Sequence, residues 1–274
     1  MNRGIPVLSE TPPAPDLTAL LKLYQHYKEK NGKIQVAEQY HLQPMHAARM
    51  AVIESELLGE VRQAQVSATN FYHGVSLMRR YLGIYFDAPI IRGMTFQSPC
   101  IDGPNREGLP IEEKYVSAKQ DIAWFDFGHK LGVLDFSNDQ YFSWIRNERI
   151  LIRGDRGEII NHDVTYLADY LTPIENKFVR HQAGANGNLE GNFLKDVQLG
   201  DRWYYKNPYI GQPLSDDEIA VAQCLEKMVR YLETGKVFYS LAEASQDHYL
   251  SLLYQEAIKS GKPIQAERQP WAEE

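Results

Sequence analysis

Near its start the chain reads Gly4-Ile5-Pro6-Val7-Leu8-Ser9-Glu10-Thr11-Pro12-Pro13. Residues 5–8 form a short apolar, β-branched run, and the Ser-Glu-Thr-Pro-Pro that follows closes it, so the stretch reads as a buried strand ending in a rigid turn. A helix comes next. Asp16 stands at its cap, and Leu17, Leu20, Leu21, Tyr24 and Tyr27 recur at helical spacing along one face until Asn31-Gly32 stops it. A second extended run occupies residues 33–40, which completes a strand-helix-strand unit of the kind that builds α/β sheets.

Beyond His41-Leu42-Gln43-Pro44 the pattern changes. The spacing predicts a helix over 44–58 with Gly59 as its C-terminal cap, a strand over 60–69, and a short helix from about His73 to Gly83. Extended stretches follow over 90–97, 115–127, 130–136 and 149–160, the last broken at Gly154-Asp155-Arg156-Gly157. Successive strands joined by tight turns favour an antiparallel meander over crossover connections. Two capping boxes then announce helices, Ser215-Asp216-Asp217-Glu218 and Ser240-Leu241-Ala242-Glu243, ending at Gly235 and Gly261. The first carries Ile219, Ala222, Met228, Val229 and Leu232 as its apolar set.

Composition bounds the function. The 274 residues are 43% hydrophobic and 24% charged, with 17 tyrosines, enough for a substantial core without staples. A net charge of -7 and the lack of a basic stripe argue against nucleic acid or an anionic membrane as partner. No apolar stretch is long enough to span a bilayer. Cys100 and Cys224 form neither a C-x-x-C pair nor a disulfide framework, so a reducing cytoplasm is the expected compartment.

The opening unit and several later segments together are similar to the Gfo/Idh/MocA oxidoreductases. The turn Glu10-Thr11-Pro12 stands where that family has Glu-Lys-Pro, and the segments Asn188-Leu189-Glu190-Gly191, Tyr205-Lys206-Asn207-Pro208, residues 214–222 and residues 239–250 resemble one subgroup's C-terminal domain. The likeness spans nearly the whole chain. It implies an α+β fold, an open, mainly antiparallel sheet flanked by helices, preceded by a remnant of an α/β Rossmann-like domain. The expected division is 1–40 for the tail of the nucleotide-binding domain and 41–274 for the C-terminal domain. It also implies NAD or NADP as cofactor, a sugar, cyclitol or related polyol as substrate, and homo-oligomers built on the sheet. The glycine-rich half of the nucleotide domain is expected to lie outside this sequence, because no G-x-G-x-x-G occurs in it; Gly184 to Gly191 has the wrong spacing, and Gly154 to Gly157 reads as a hairpin turn.

Site residues follow from the same resemblance. Tyr72-His73 opens a segment like the family's H-x-x-D-x-x-R-x-x-x-G helix, which implies that His73 moves a proton at the substrate carbinol. Imidazole suits that work because it ordinarily titrates near neutrality. Helix capping or a bond to a nearby carbonyl is the other use open to His73, and packing the other use open to Tyr72. Glu10, Thr11 and Pro12 take the cofactor-facing place, with Thr11 in the position of the lysine. Thr69 and Ser76 replace two acidic residues of the motif. Glu38, Gln39, Tyr40 and His41 end the second strand, and ligands of open α/β sheets bind outside the carboxyl ends of strands. Arg146 and Arg180 can fork onto a carboxylate or hydroxyl, or simply pair with surface acids.

Other chemistries find no support. His41 and His46 lack a cysteine or acidic ligand at helical spacing, His162-Asp163 is an isolated pair, and no serine or cysteine sits in a G-x-S-x-G elbow. Two readings remain: a polyol oxidoreductase lacking its nucleotide half, or a non-catalytic sheet domain used for oligomerisation or ligand binding.

Overall fold

The structure, a computed structural model, describes residues 4–183 and 193–273. Residues 184–191, with the Asn188–Gly191 segment named above, lie outside the described residues. In chain order the elements are β1 (Val7–Ser9), α1 (Leu17–Glu29), β2 (Ile34–Val36), α2 (Pro44–Glu54), β3 (Val61–Ser67), α3 (Phe71–Leu82), β4 (Ile90–Ile101), β5 (Tyr115–Asp126), β6 (Leu131–Ser137), β7 (Arg149–Gly154), β8 (Gly157–Ile160), β9 (Asp163–Leu167), β10 (Pro173–Ala183), β11 (Phe193–Leu199), β12 (Arg202–Lys206), α4 (Asp216–Thr234), α5 (Leu241–Ser260) and β13 (Ile264–Gln265).

β1 and β2 pair in parallel across α1, whose first turn is held by the Asp16 carboxylate accepting the Ala19 N–H at 2.8 Å. The eleven remaining strands form one sheet in the order β12-β11-β10-β9-β8-β7-β3-β6-β5-β4-β13. All its pairings are antiparallel except β3 with β6. The meander is therefore observed on both flanks, and the chain passes from β3 through α3, β4 and β5 before β6 pairs beside β3. The fold is α+β, and the Gly154–Gly157 segment is the β7–β8 hairpin.

One face of the sheet is covered. Ala64 and Val66 of β3 and Leu134 of β6 turn toward α3, which contributes Val75, Leu77, Met78 and Tyr81 to the same core. Gly93 lets α5 lie on β4, since a Cβ there would come 2.7 Å from an Ile258 side-chain carbon. The core continues into the opening unit: Tyr24 of α1 and Tyr249 of α5 meet Trp271 edge-on, with ring centroids 5.9 and 6.1 Å away. Trp271 is fully buried and donates its indole N–H to Gln246 Oε1 at 2.8 Å, so truncating it to alanine should cost about 3–5 kcal/mol. The other sheet face carries Arg92, Met94, Phe96 and Trp124 partly in solvent.

Several expected bounds shift. The second strand has three residues rather than the run 33–40, because β1 offers only Val7, Leu8 and Ser9 as partners and the chain then turns into a 3-10 turn at Tyr40–Leu42. α2 stops at Glu54, where the Ser55 hydroxyl donates back to the Val52 carbonyl at 2.7 Å and Glu56 takes a left-handed φ of 61°. Both capping boxes form. α4, however, buries Ile219, Ala220 and Cys224 and leaves Val229 and Leu232 exposed, so its apolar residues do not all face the core.

Candidate functional site

Among the described residues only β1–β2 and β3–β6 pair in parallel, and the carboxyl ends of both pairs open on one place. β1 delivers Glu10, Thr11 and Pro12, with a cis Thr11–Pro12 peptide. β2 delivers Glu38 and Tyr40, β3 leads through Thr69 and Asn70 into α3 with Tyr72 and His73, and β6 leads through a 3-10 turn to Tyr141.

Glu38 and His73 form the centre. The imidazole Nδ1 lies 2.7 Å from Glu38 Oε2, and the other carboxylate oxygen accepts the Tyr40 N–H at 3.1 Å. Glu38 is buried, with 2% of its side chain exposed, while His73 keeps 16%. A carboxylate at Nδ1 sets the tautomer and the ring orientation, which leaves Nε2 to act on a ligand. Two aromatic rings flank the imidazole, Tyr72 at 4.4 Å and Tyr40 at 4.6 Å between centroids. The Tyr72 phenol donates to the Thr11 carbonyl at 3.2 Å and so ties α3 to the turn after β1. Burial pushes the Tyr40 and Tyr72 phenols above their ordinary range, so both are neutral donors at any physiological pH.

Gly74 explains how α3 reaches this position. A Cβ there would sit 2.8 Å from the Thr69 carbonyl oxygen and 3.3 Å from a Leu134 side-chain carbon. Only glycine lets the helix press its first turn against the end of β3.

The site thus brings together Thr11, Pro12, Glu38, Tyr72 and, beside them, the buried Tyr239 and Asp247, which sequence reasoning missed. Tyr40 and His73 join them through Glu38. Gln39 contributes its carbonyl to the 3-10 turn, accepting from the Leu42 N–H at 2.8 Å. His41 turns away from His73, its ring 5.3 Å from that of Tyr239; burial, then Arg80, pushes its pKa well below the usual histidine range. Glu10 stays exposed. The two positions where the resemblance implies acids are both engaged: Thr69 Oγ1 lies 3.1 Å from the Tyr141 phenol, and Ser76 Oγ lies 2.6 Å from that of Tyr239.

The arginines pair with acids. Arg180 forks onto Asp216 with two contacts of 2.7 Å, and Arg146 meets Asp139 at 3.2 Å. Cys100 and Cys224 are buried free thiols, and burial pushes Cys224 up to about 12, so it is inert. Among the described residues no group of three or more His, Cys, Asp or Glu is placed to hold a metal, and no helix is long and apolar enough to cross a membrane.

No family model matches the sequence, and no curated protein matches it. Solved structures do share the fold. One assigned as a myo-inositol dehydrogenase from Sinorhizobium meliloti 1021 superposes with a TM-score of 0.61 at 11% identity, covering 97% of this chain and 75% of that one. An oxidoreductase from Agrobacterium radiobacter, in complex with NAD+, L-tartaric acid and magnesium, gives 0.59 at 15% identity over 96% and 74%. Levoglucosan dehydrogenase in complex with NADH and levoglucosan gives 0.62 at 14% identity over 97% and 74%. The α+β architecture that the Gfo/Idh/MocA resemblance implies, a large, mainly antiparallel sheet flanked by helices, is observed, and these neighbours are oxidoreductases of that type.

Proposed function

We propose that the chain forms the substrate side of an NAD(P)-dependent oxidoreductase acting on a sugar, cyclitol or related polyol, with His73 as the proton acceptor and Glu38 as its positioning residue. The Glu38–His73 pair at 2.7 Å, at the joint carboxyl ends of the parallel strands, carries this reading. When a carbinol is oxidised to a carbonyl, its hydroxyl proton passes to His73 Nε2, and the charge gained by the ring is stabilised by the carboxylate on Nδ1. The neutral Tyr40 and Tyr72 phenols flank the ring and restrict how an alcohol approaches it.

The residues present fit that role and not the holding of a dinucleotide. The sequence has no glycine-rich phosphate loop, Thr11 brings no cation, and the Thr11 carbonyl is already taken by Tyr72. In this reading NAD or NADP, which supplies the hydride acceptor when bound, is held by a segment outside residues 1–274. The opening unit 1–40 is the remnant of that nucleotide domain, and 41–274 the C-terminal domain, whose open sheet face of Met94, Phe96 and Trp124 serves a homo-oligomer in the cytoplasm. Thr11 in the lysine's place favours a second reading, in which the same crevice binds a polyol without turnover.

Calorimetric titration of the chain with myo-inositol, levoglucosan and L-sorbose tests the substrate side. Saturable binding that His73→Asn abolishes is expected, and a folded chain that binds none of the three would contradict the proposal. Supplying a nucleotide-binding half together with NAD+ and a bound polyol then separates the readings, since NADH formation belongs to the first alone.

A further inference from the structure

We infer that Tyr141, held by Asn70, is the specificity-determining wall of this crevice and selects an uncharged polyhydroxylated ring, a cyclitol or pyranose, over a sugar acid. The inference rests on the polyol reading above and goes past it to a residue and a charge class.

Tyr141 ends the 3-10 turn after β6 with its ring resting on the buried Phe136, centroids 4.8 Å apart, and 45% of its surface exposed beside the site. Its phenol lies 3.1 Å from Thr69 Oγ1 and donates to Asn70 Oδ1 at 3.1 Å. Asn70 and Thr69 lead directly into the first turn of α3, which carries His73, and the Tyr40 ring packs on His73 with centroids 4.6 Å apart.

Asn70 occupies the N-cap of α3, yet its side chain caps nothing. The caps of α1, α4 and α5, by contrast, each accept a backbone N–H of the first turn. Here the amide oxygen is turned to Tyr141, and the following Phe71 holds a left-handed φ of 48° with its N–H donated to the Tyr254 hydroxyl at 3.1 Å. A helix start that gives up its cap for a surface phenol places an aromatic ring and an amide N–H2 side by side, with the fully buried Thr69 bracing the phenol from behind. Such a wall suits the C–H face and adjacent hydroxyls of a ring. It does not suit a carboxylate. Arg146 is engaged with Asp139 and Arg149 with Asp135, which leaves Glu38 as the charge nearest the base.

Saturation-transfer NMR of the full chain with myo-inositol, levoglucosan and D-glucuronate tests this, using wild type, Tyr141→Ala, Tyr141→Phe, Asn70→Ser and His73→Asn. The neutral rings should bind wild type at least tenfold more tightly than D-glucuronate. Tyr141→Phe and Asn70→Ser should each weaken them about tenfold, the loss of one hydrogen bond, and Tyr141→Ala should weaken them more. Equal binding of the neutral rings by wild type and all three Tyr141 and Asn70 variants, with loss only in His73→Asn, overturns the inference while leaving the polyol reading intact. Tighter binding of D-glucuronate overturns the charge class, and no binding of any ring by folded wild type overturns both.

Discussion

Arg79 and Asp247 meet where their side chains are 4% and 3% exposed, whereas Glu38 and His73 meet with the carboxylate equally hidden but the imidazole at 16%. The first pair joins α3 to α5 and is satisfied on nearly all sides: Asp247 also accepts from the Tyr239 phenol, and Arg79 donates to the Tyr85 carbonyl. The second joins β2 to α3 and keeps one ring nitrogen for other use. Glu38 of one pair and Asp247 of the other line, with Thr11 and Tyr239, a common crease that has no room for a water. Similar chemistry therefore serves two ends, and what separates them is whether water and a ligand can reach one partner.

The comparison makes the buried pair the one whose loss unfolds the protein. Arg79→Ala should cost about 3–5 kcal/mol in denaturant unfolding, because it strands the Asp247 carboxylate. A loss below about 1 kcal/mol would break the comparison. The Glu38–His73 pair should show the reverse: Glu38→Gln or His73→Asn should cost about 1–2 kcal/mol in the same measurement yet abolish polyol binding.

Stability against pH sharpens the contrast. Burial, outweighing the pull of Arg79, raises the Asp247 carboxyl from 3.8 to about 6. A carboxyl raised in the folded state binds its proton more tightly there, so its contribution is present below pH 4 and is lost as pH rises through about 6. Asp247→Asn should remove that downward slope. His41 and His46, both held well below 6.5 by burial, act oppositely and lose stability as pH falls below 6.5. The smallest effect belongs to a position outside both pairs: Ser215→Ala, which removes the α4 cap, should cost about 1 kcal/mol and leave polyol binding unchanged.

Local signals were legible in the sequence because their causes are local. The capping boxes at Ser215 and Ser240, the stop at Gly83 and the hairpin at Gly154–Gly157 each depend on residues within four positions. Strands β10 to β12 escaped notice; in β10 outward residues such as Glu175 and Lys177 are polar, so no apolar run marks it. α5 buries Gln246, Asp247 and His248 alongside its apolar residues, and no hydrophobic pattern could show that. In the site, Glu38 and His73 were singled out separately, but 35 residues divide them and only the folded chain pairs them. Tyr141 carried no signal, since its partners Thr69 and Asn70 lie more than seventy positions away.

The most direct test follows the side-chain nitrogens of the eight histidines by 15N NMR while myo-inositol is added to the full chain. The account predicts that the His73 Nε2 resonance moves with saturation while its Nδ1 stays hydrogen-bonded to Glu38, and that the half-buried His41 and the buried His46 do not respond. Binding of the polyol with His73 unmoved would contradict it.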